Sequence, residues 1–263
     1  MANAKRISAF IWRYLCSIIS CFYLITIGMF FSRNRDLLVR ICSHFGLAGK
    51  KIRPILPRIS IPKLFPDTPD IRIEEPIAAD GNISLLELVI IVTFIRHYQP
   101  TTIFEIGTFD GRTSLNLAAN APPAARIFTL DLPSNQVDTT DLPIVFDDRA
   151  LIEKQRSGGR FEGTNYDSII TQLYGDSAGF DFSPYLSGMD FIFIDGSHSY
   201  EYVLNDSKKA LSLLRDGRGI ILWHDYDGFE GVTRGLNELY GRDKDFNDLR
   251  HIAGTSLAYL IKV

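Results

Sequence analysis

Apolar and polar positions alternate with two different periods along most of the chain. Runs with a period near 3.6, which are typical of amphipathic helices, cover 84–98, 112–121, 200–215 and 230–240. Short β-branched or apolar runs between them predict strands near 102–106, 126–130, 168–173, 190–194, 218–223, 249–253 and 256–262. This alternation predicts an α/β fold with a doubly wound, mainly parallel seven-stranded sheet.

Two local signals refine this picture. Ser84 and Glu87 have the spacing of a capping box, so the first helix of the α/β region should begin there, and Pro100 should end it. Residues 133–165 are polar and irregular, and they are too long for a plain connection. We therefore expect a lid or a substrate loop in that segment.

The first part of the chain has a different pattern. Tyr14–Phe31 is a run of eighteen residues without a charge, which predicts an N-terminal apolar helix that anchors the chain in a membrane. No small-residue cleavage site follows, as a signal peptide would require, and a core helix is rarely apolar on all sides. More basic residues follow the run than precede it, which favours a cytoplasmic position for the remainder of the chain.

Charge divides the chain in the same way. The net charge of −3 combines eleven basic residues and one acid in 1–65 with an acidic excess in the remainder. Five of the twelve prolines lie in 53–70, where they disfavour helices and central strands. We therefore predict an anchor and basic juxtamembrane segment over 1–52, an extended linker over 53–70 and a catalytic domain over 71–263.

Some classes of function are disfavoured by composition. All three cysteines, Cys16, Cys21 and Cys42, precede the linker, so the acidic region has no disulfide and no thiol nucleophile. The basic residues cluster beside an apolar run and not among aromatic residues, so nothing indicates binding of nucleic acid.

Chemically suggestive residues follow the first two predicted strands of the α/β region. Parallel sheets bind ligands at the carboxyl ends of their strands. Gly107 and Gly111 follow the first strand, where glycines allow close approach of a ligand, and Asp131 ends the second, where a carboxylate can accept ribose hydroxyls. The glycine spacing differs from that of a dinucleotide site, so a different nucleoside ligand is favoured.

The motifs EIGTFDGRTS, TLDL, YGDS, FIFIDGSHSYEYV and GIILWHDY, in this order, resemble class I S-adenosylmethionine-dependent methyltransferases. The resemblance covers roughly residues 84–263 and is closest to metal-dependent O-methyltransferases of the catechol type and of the macrolide-sugar and cephalosporin-hydroxylase-like group. It implies a Rossmann-like fold and S-adenosylmethionine as cofactor. Phe109 stands where the commonest pattern has a glycine, a departure that the catechol-type enzymes share.

The resemblance also implies roles for residues of the glycine loop and the following strand ends. Glu105 and Gly107 would lie beside the methionine part of the cofactor, with Gly111 in the same loop, and Thr113 would hold the cofactor's carboxylate. The remaining cofactor residues would be Asp131 at the ribose, and Asp176 and Ser177 beside the adenine.

The catalytic residues would follow the next two strands. Asp195 and Asp225 end neighbouring strands, and two carboxylates there suit Mg²⁺ or another divalent cation. His198 lies where related enzymes have a general base that takes a proton from a metal-bound hydroxyl. His224 replaces an acidic residue of close relatives, so it is a candidate ligand and leaves the metal in doubt.

These features predict a metal-assisted O-methyltransferase that acts on a hydroxyl of a sugar, glycolipid or other small metabolite. Two alternatives remain at this stage: a binding or scaffold protein that keeps the fold without catalysis, and a different chemistry such as hydroxylation. The sequence leaves the acceptor, the identity of the metal and assembly into a homo-oligomer open.

Overall fold

A computed structural model describes residues 2–31, 34–35, 37–38, 41–42, 52–79, 81–153 and 157–263. The chain divides into two compact units, Met1–Lys51 and Ile52–Val263. Several basic positions on which the predicted membrane orientation depended lie outside the described residues: Arg33, Arg40, Lys50 and Lys51.

The first unit contains helix α1, Ala2–Ile25, and a 3₁₀ turn at Gly28–Phe30. Among the described residues, no helix has the length and apolar character needed to cross a membrane. Because α1 ends at Ile25, it contains only part of the apolar run, and its remaining turns carry Lys5, Arg6 and Arg13. The predicted membrane anchor is therefore wrong, and so are the membrane partner and the membrane localisation that depended on it.

The second unit is built on one mixed sheet. Its strands are β1 (Arg58–Ile59), β2 (Thr102–Ile106), β3 (Arg126–Asp131), β4 (Ile170–Tyr174), β5 (Phe191–Ile194), β6 (Gly219–Trp223), β7 (Arg250–Ile252) and β8 (Ala258–Lys262). Its helices are α2 (Ile61–Leu64), α3 (Leu85–Tyr98), α4 (Arg112–Asn120), α5 (Phe146–Ile152), α6 (Tyr200–Leu213) and α7 (Glu230–Arg242). The strand order is β1-β7-β8-β6-β5-β2-β3-β4, and β8 is antiparallel to both of its neighbours.

The predicted α/β class and mainly parallel sheet are confirmed, but the sheet has eight strands and not seven. The additional strand, β1, comes from the proline-rich segment 53–70, which packs on this unit where we predicted an extended linker. Arg58 and Ile59 pair in parallel with β7, and Leu56 and Phe65 are buried. An edge strand forms ladder bonds on one side only, so neighbouring prolines are tolerated there.

Helix α3 begins where its capping box predicted. The Ser84 hydroxyl accepts a hydrogen bond from the Glu87 N–H, and the Glu87 carboxylate accepts one from the Ser84 N–H, each at 3.3 Å. The Glu87 side chain is buried at the start of the helix and extends toward the carboxyl end of β6. This position brings it to the site described below.

Two apolar cores cover the two faces of the sheet. Along β5, Ile192 and Ile194 pack in one core together with Val203 of α6, whereas Phe191 and Phe193 pack in the other. Successive side chains of a strand point to opposite faces, so a fully apolar strand requires helices on both sides. The strand order reverses between β2 and β5, and a crevice for ligands is expected at the carboxyl ends of these strands.

Candidate active site

A cavity of about 240 Å³ lies at the carboxyl ends of the five consecutive parallel strands β6, β5, β2, β3 and β4. Each of these strands contributes lining residues at or just after its last residue. The polar wall residues at the strand ends are Asp131 from β3, Asp176 and Ser177 after β4, Asp195, Ser197 and His198 after β5, and His224 and Asp225 after β6. Gly107 and seven other predicted site residues therefore line one cavity.

Gly107 lies at the point where the strand order reverses. Its φ is +99°, and a Cβ atom there would lie 2.0 Å from the carbonyl oxygen of Asp195. The Gly107 N–H donates to the Leu130 carbonyl across 2.8 Å. Glycine is therefore required by the packing of three strand ends in addition to any ligand.

The conformation of the rest of the glycine loop is restricted by backbone atoms packed against it. Gly111 is the N-cap of α4 with φ +90°, and a Cβ atom there would lie 2.8 Å from the Gly158 Cα. Phe109 has φ +50° and lines the cavity where the commonest pattern has a glycine. Thr113 is half-buried in the first turn of α4. Gly111 and Thr113 are not part of the cavity wall.

Glu105 is fully buried beneath this loop and does not line the cavity. One of its carboxylate oxygens accepts hydrogen bonds from Ser114 of α4 and from Thr129 of β3, the latter at 2.6 Å. Burial raises the pKa of Glu105 to about 8. In this arrangement Glu105 connects β2, β3 and α4, and thereby holds the loop that carries Gly107.

Two carboxylates line the other side of the cavity. Asp131 accepts a hydrogen bond from Ser157, which belongs to the long polar segment after β3. Asp176 accepts bonds from the Tyr202 hydroxyl and from the backbone N–H of Asp141, each at 2.7 Å. Asp176 therefore also holds the start of the long segment against α6.

Asp195, His224 and Asp225 form a cluster in which one donor atom from each residue lies within 4.8 Å of the others. His224 Nδ1 is 3.0 Å from both Asp195 Oδ1 and Asp225 Oδ2. Burial opposes protonation of His224, but the carboxylate of Asp195 beside it holds the pKa of the imidazole well above its usual range. Two carboxylates and one imidazole are the donor types of a divalent-metal site.

His198 lies between two carboxylates. Its Nδ1 donates to Asp148 of α5, and its Nε2 donates to Asp225 Oδ2 across 2.7 Å, while the ring stacks on Phe229 at 3.8 Å between centroids. Burial disfavours the charged ring, but the hydrogen bonds to Asp148 and Asp225 outweigh it and raise the pKa of His198 to about 10. Burial disfavours the charged form of Asp225, but hydrogen bonds from His198 and His224 hold the pKa of this carboxyl group well below its usual range.

Comparison with known families matches residues 104–226 to a family model described as "Methyltransferase domain". Residues 104–226 form a methyltransferase domain. The match extends from β2 to just after β6, so it contains all five strand ends of the cavity. The resemblance to class I S-adenosylmethionine-dependent methyltransferases that the motifs indicated is confirmed.

Solved structures share the fold of the methyltransferase domain at low identity. SAH-bound methyltransferase PaMTH1 of Podospora anserina is 16% identical, with a TM-score of 0.51 over 70% of this chain and 81% of its own. Cofactor-bound Rv0187 from MTB is 17% identical, with a TM-score of 0.51 over 70% and 82%. The O-methyltransferase from Bacillus cereus in complex with SAH is 16% identical, with a TM-score of 0.50 over 70% and 84%. A search of curated proteins finds no match.

Two residues that the motifs did not indicate also reach the site. Asp148 lies on α5, inside the segment predicted to be irregular, and it also accepts a bond from the Ser197 hydroxyl at 2.6 Å. Glu87 was expected only as a helix cap, but its Oε2 lies 3.4 Å from His224 Nε2. The capping box located Glu87 on its helix, whereas no sequence signal connected Asp148 with a histidine fifty residues away.

Proposed function

We propose that the chain is an S-adenosylmethionine-dependent methyltransferase that transfers a methyl group to a hydroxyl oxygen of a small molecule, with the assistance of a divalent cation. One observation carries this proposal. A single cavity contains the carboxylate expected for a ribose, Asp131, together with the metal-donor cluster of Asp195, His224 and Asp225. A cofactor and a metal-bound acceptor could therefore meet in one enclosed space, where orientation supplies much of the rate.

The cofactor side of the cavity is supported by its residues and by the related structures. Asp131 presents a carboxylate for the ribose hydroxyls, Gly107 allows close backbone approach, and Asp176 and Ser177 would border the adenine. PaMTH1 and the Bacillus cereus enzyme are SAH complexes on the same fold. When bound, S-adenosylmethionine supplies the methyl group. Glu105 would act by holding the loop through Ser114 and Thr129, since it does not line the cavity.

The donor cluster fits a divalent cation. Its donors come from adjacent strand ends β5 and β6, and Asp225 has φ +64°, a left-handed conformation that non-glycine residues adopt at a cost. Asp195, His224 and Asp225 would hold the ion, and bound there it would lower the pKa of an acceptor hydroxyl. The cation is part of the proposal and rests on the chemistry of these three donors.

His198 is the residue we propose to take the proton from the acceptor hydroxyl. Asp148 holds the Nδ1–H of the ring, and stacking on Phe229 fixes its plane, so that Nε2 points at Asp225 and the donor cluster. If Asp225 turns toward a cation, Nε2 loses this carboxylate and becomes the ring nitrogen that can accept a proton. In this proposal Asp148 positions the base.

The walls of the cavity favour an acceptor with an apolar skeleton. Beside the histidines and carboxylates, the lining residues from the long segment and after β6 are Ile144, Leu151, Ile152 and Phe229. Apolar walls with a few convergent polar groups bind hydroxylated molecules whose remaining surface is apolar. We therefore propose a hydroxylated small metabolite of that kind as acceptor in preference to an unsubstituted sugar.

Calorimetric titration with S-adenosylhomocysteine tests the proposed cofactor and the separate roles of two carboxylates. We expect the chain to bind it, Asp131→Asn to weaken binding at least about tenfold through loss of a charge-assisted pair of hydrogen bonds, and Glu105→Gln to stay within about threefold. Glu105→Gln is the matched control because it removes a carboxylate that lies outside the cavity. Absence of binding by the unmodified chain, to S-adenosylhomocysteine and to S-adenosylmethionine alike, would overturn the proposed function.

A further inference from the structure

The two histidines of the site share one arrangement. Each directs one ring nitrogen toward the strand-end aspartates and the other toward a buried carboxylate from a helix outside that cluster. For His198 the outer carboxylate is Asp148, and for His224 it is Glu87. His224 differs from His198 because its inner nitrogen, Nδ1, is equidistant at 3.0 Å from Asp195 and Asp225.

Glu87 is held so that one oxygen faces His224. Its Oε1 accepts bonds from the N–H and the hydroxyl of Ser256, each at 2.8 Å, and its Oε2 accepts a bond from the Ser84 hydroxyl at 2.6 Å. The residue is 8% exposed, and Oε2 lies 3.4 Å from His224 Nε2.

This geometry determines which nitrogen of His224 is available to a metal. A histidine that binds a metal is neutral, and a carboxylate that accepts the Nε2–H then selects the tautomer in which Nδ1 carries a lone pair. In His224, Nδ1 is the atom that lies between the two aspartates. Metal-binding histidines commonly have such a carboxylate behind them, which orients the ring and raises its basicity. Imidazole is a preferred ligand of divalent transition-metal ions such as Zn²⁺, Fe²⁺ and Co²⁺, whereas Mg²⁺ prefers oxygen ligands.

We propose that His224 Nδ1 is a metal ligand, that Glu87 is the positioning residue that presents it, and that the centre thereby prefers a transition-metal ion to Mg²⁺. The inference rests on the proposed function, since it concerns the cation of the same site. It adds the class of metal and a residue outside the matched domain, because Glu87 precedes residue 104. A site built only from oxygen ligands would instead be expected to suit Mg²⁺.

Three variants of the full chain, titrated separately with Co²⁺ and Mg²⁺, test this inference. Glu87→Gln keeps a side chain able to cap α3, and we expect it to weaken Co²⁺ binding by about 10–100-fold. Glu238→Gln is the matched control, because it makes the same change at a hydrogen-bonded glutamate of α7 that does not line the cavity, and Co²⁺ binding should stay within about threefold. His224→Glu should lower the ratio of Co²⁺ to Mg²⁺ affinity at least about tenfold.

Pulsed electron paramagnetic resonance of bound Mn²⁺ gives a readout that does not depend on activity. The unmodified chain should show coupling to an imidazole nitrogen, and His224→Glu should lose it. An unmodified chain without nitrogen coupling, coupling that persists in His224→Glu, or equal Co²⁺ affinities in the unmodified chain and Glu87→Gln would each overturn the assignment.

The cofactor titration separates failure of this inference from failure of the proposed function. Binding of S-adenosylhomocysteine is measured in the presence of a chelator, and in each variant it also reports whether the domain is folded. If S-adenosylhomocysteine binds and the metal results contradict expectation, only the assignment of His224 and Glu87 is lost. If S-adenosylhomocysteine does not bind to the unmodified chain, the proposed function is lost as well.

Discussion

Replacing Asp206 with asparagine should increase the free energy of unfolding of the methyltransferase domain at alkaline pH. Asp206 lies on α6 with 1% of its surface exposed, and its Oδ1 accepts a bond from the Asn205 side chain at 2.9 Å. Its carboxylate also interacts with Ser177 on the wall of the cavity. Burial raises the pKa of Asp206 from 3.8 to about 6, and these hydrogen bonds only partly offset the effect.

The sign and the size follow from proton linkage. A carboxyl group with a higher pKa in the folded chain binds its proton more tightly there, so stability falls as pH rises from the unfolded to the folded pKa. A difference of roughly 2 pKa units corresponds to about 3 kcal/mol at about 1.4 kcal/mol per unit. About half of this penalty is present at pH 5 and nearly all of it at pH 8. Asparagine is uncharged and avoids the penalty at both values.

Urea unfolding at pH 5 and pH 8 measures the effect. We subtract the free energy of unfolding of the unmodified chain from that of Asp206→Asn at each pH. This difference should be about 1.4 kcal/mol larger at pH 8 than at pH 5. Asp67→Asn, the same substitution at an exposed aspartate, is the matched control. A difference for Asp206→Asn that stays constant, or that shifts against the variant at pH 8, would refute the reasoning.

Three other substitutions have definite expected outcomes. Gly107→Ala brings a Cβ atom to 2.0 Å from the Asp195 carbonyl, so thermal unfolding should show a severely destabilised domain; an unchanged midpoint would contradict the packing described here. Gly241→Ala, in α7 with no atom near the added methyl, should instead stabilise by up to about 1 kcal/mol in the same assay, and any loss would count against it. Asp148→Asn removes the buried charge beside His198 and should cost about 3 kcal/mol in urea unfolding at pH 7, whereas a loss below about 0.5 kcal/mol would mean that the pair contributes little.

Much of the fold was predictable because its signals are local. Helix α3 begins at its capping box and ends before Pro100, and the strands at 102–106 and 191–194 match their apolar runs within one residue. The strand-end rule then brought Asp131, Asp195 and Asp225 to one cavity, because parallel strands end at the same edge. These predictions depend on periodicity and on chain order, both of which can be read from the sequence.

The remaining features depend on partners that are distant in sequence. Arg58 and Ile59 become a strand only because β7, nearly two hundred residues later, offers a free edge. The bonds of His198 to Asp148 and of Glu87 to Ser256 join segments 50 and 169 residues apart, and the sequence contains no pattern for either. For α1, the apolar run predicted a span across a membrane, whereas the helix ends at Ile25, inside that run.

The sequence by itself therefore determined the order of the seven strands from β2 to β8, the methyltransferase motifs and the residue types at the strand ends, because each follows from neighbouring residues. Only the tertiary structure decided which nitrogen of each histidine faces the aspartates and which carboxylate holds the other. It also placed Glu105 beneath the glycine loop and outside the cavity wall, since a side chain of β2 can point either to the cavity or into the core. Such choices depend on packing in three dimensions, where burial and hydrogen-bond partners set the state of each charged group.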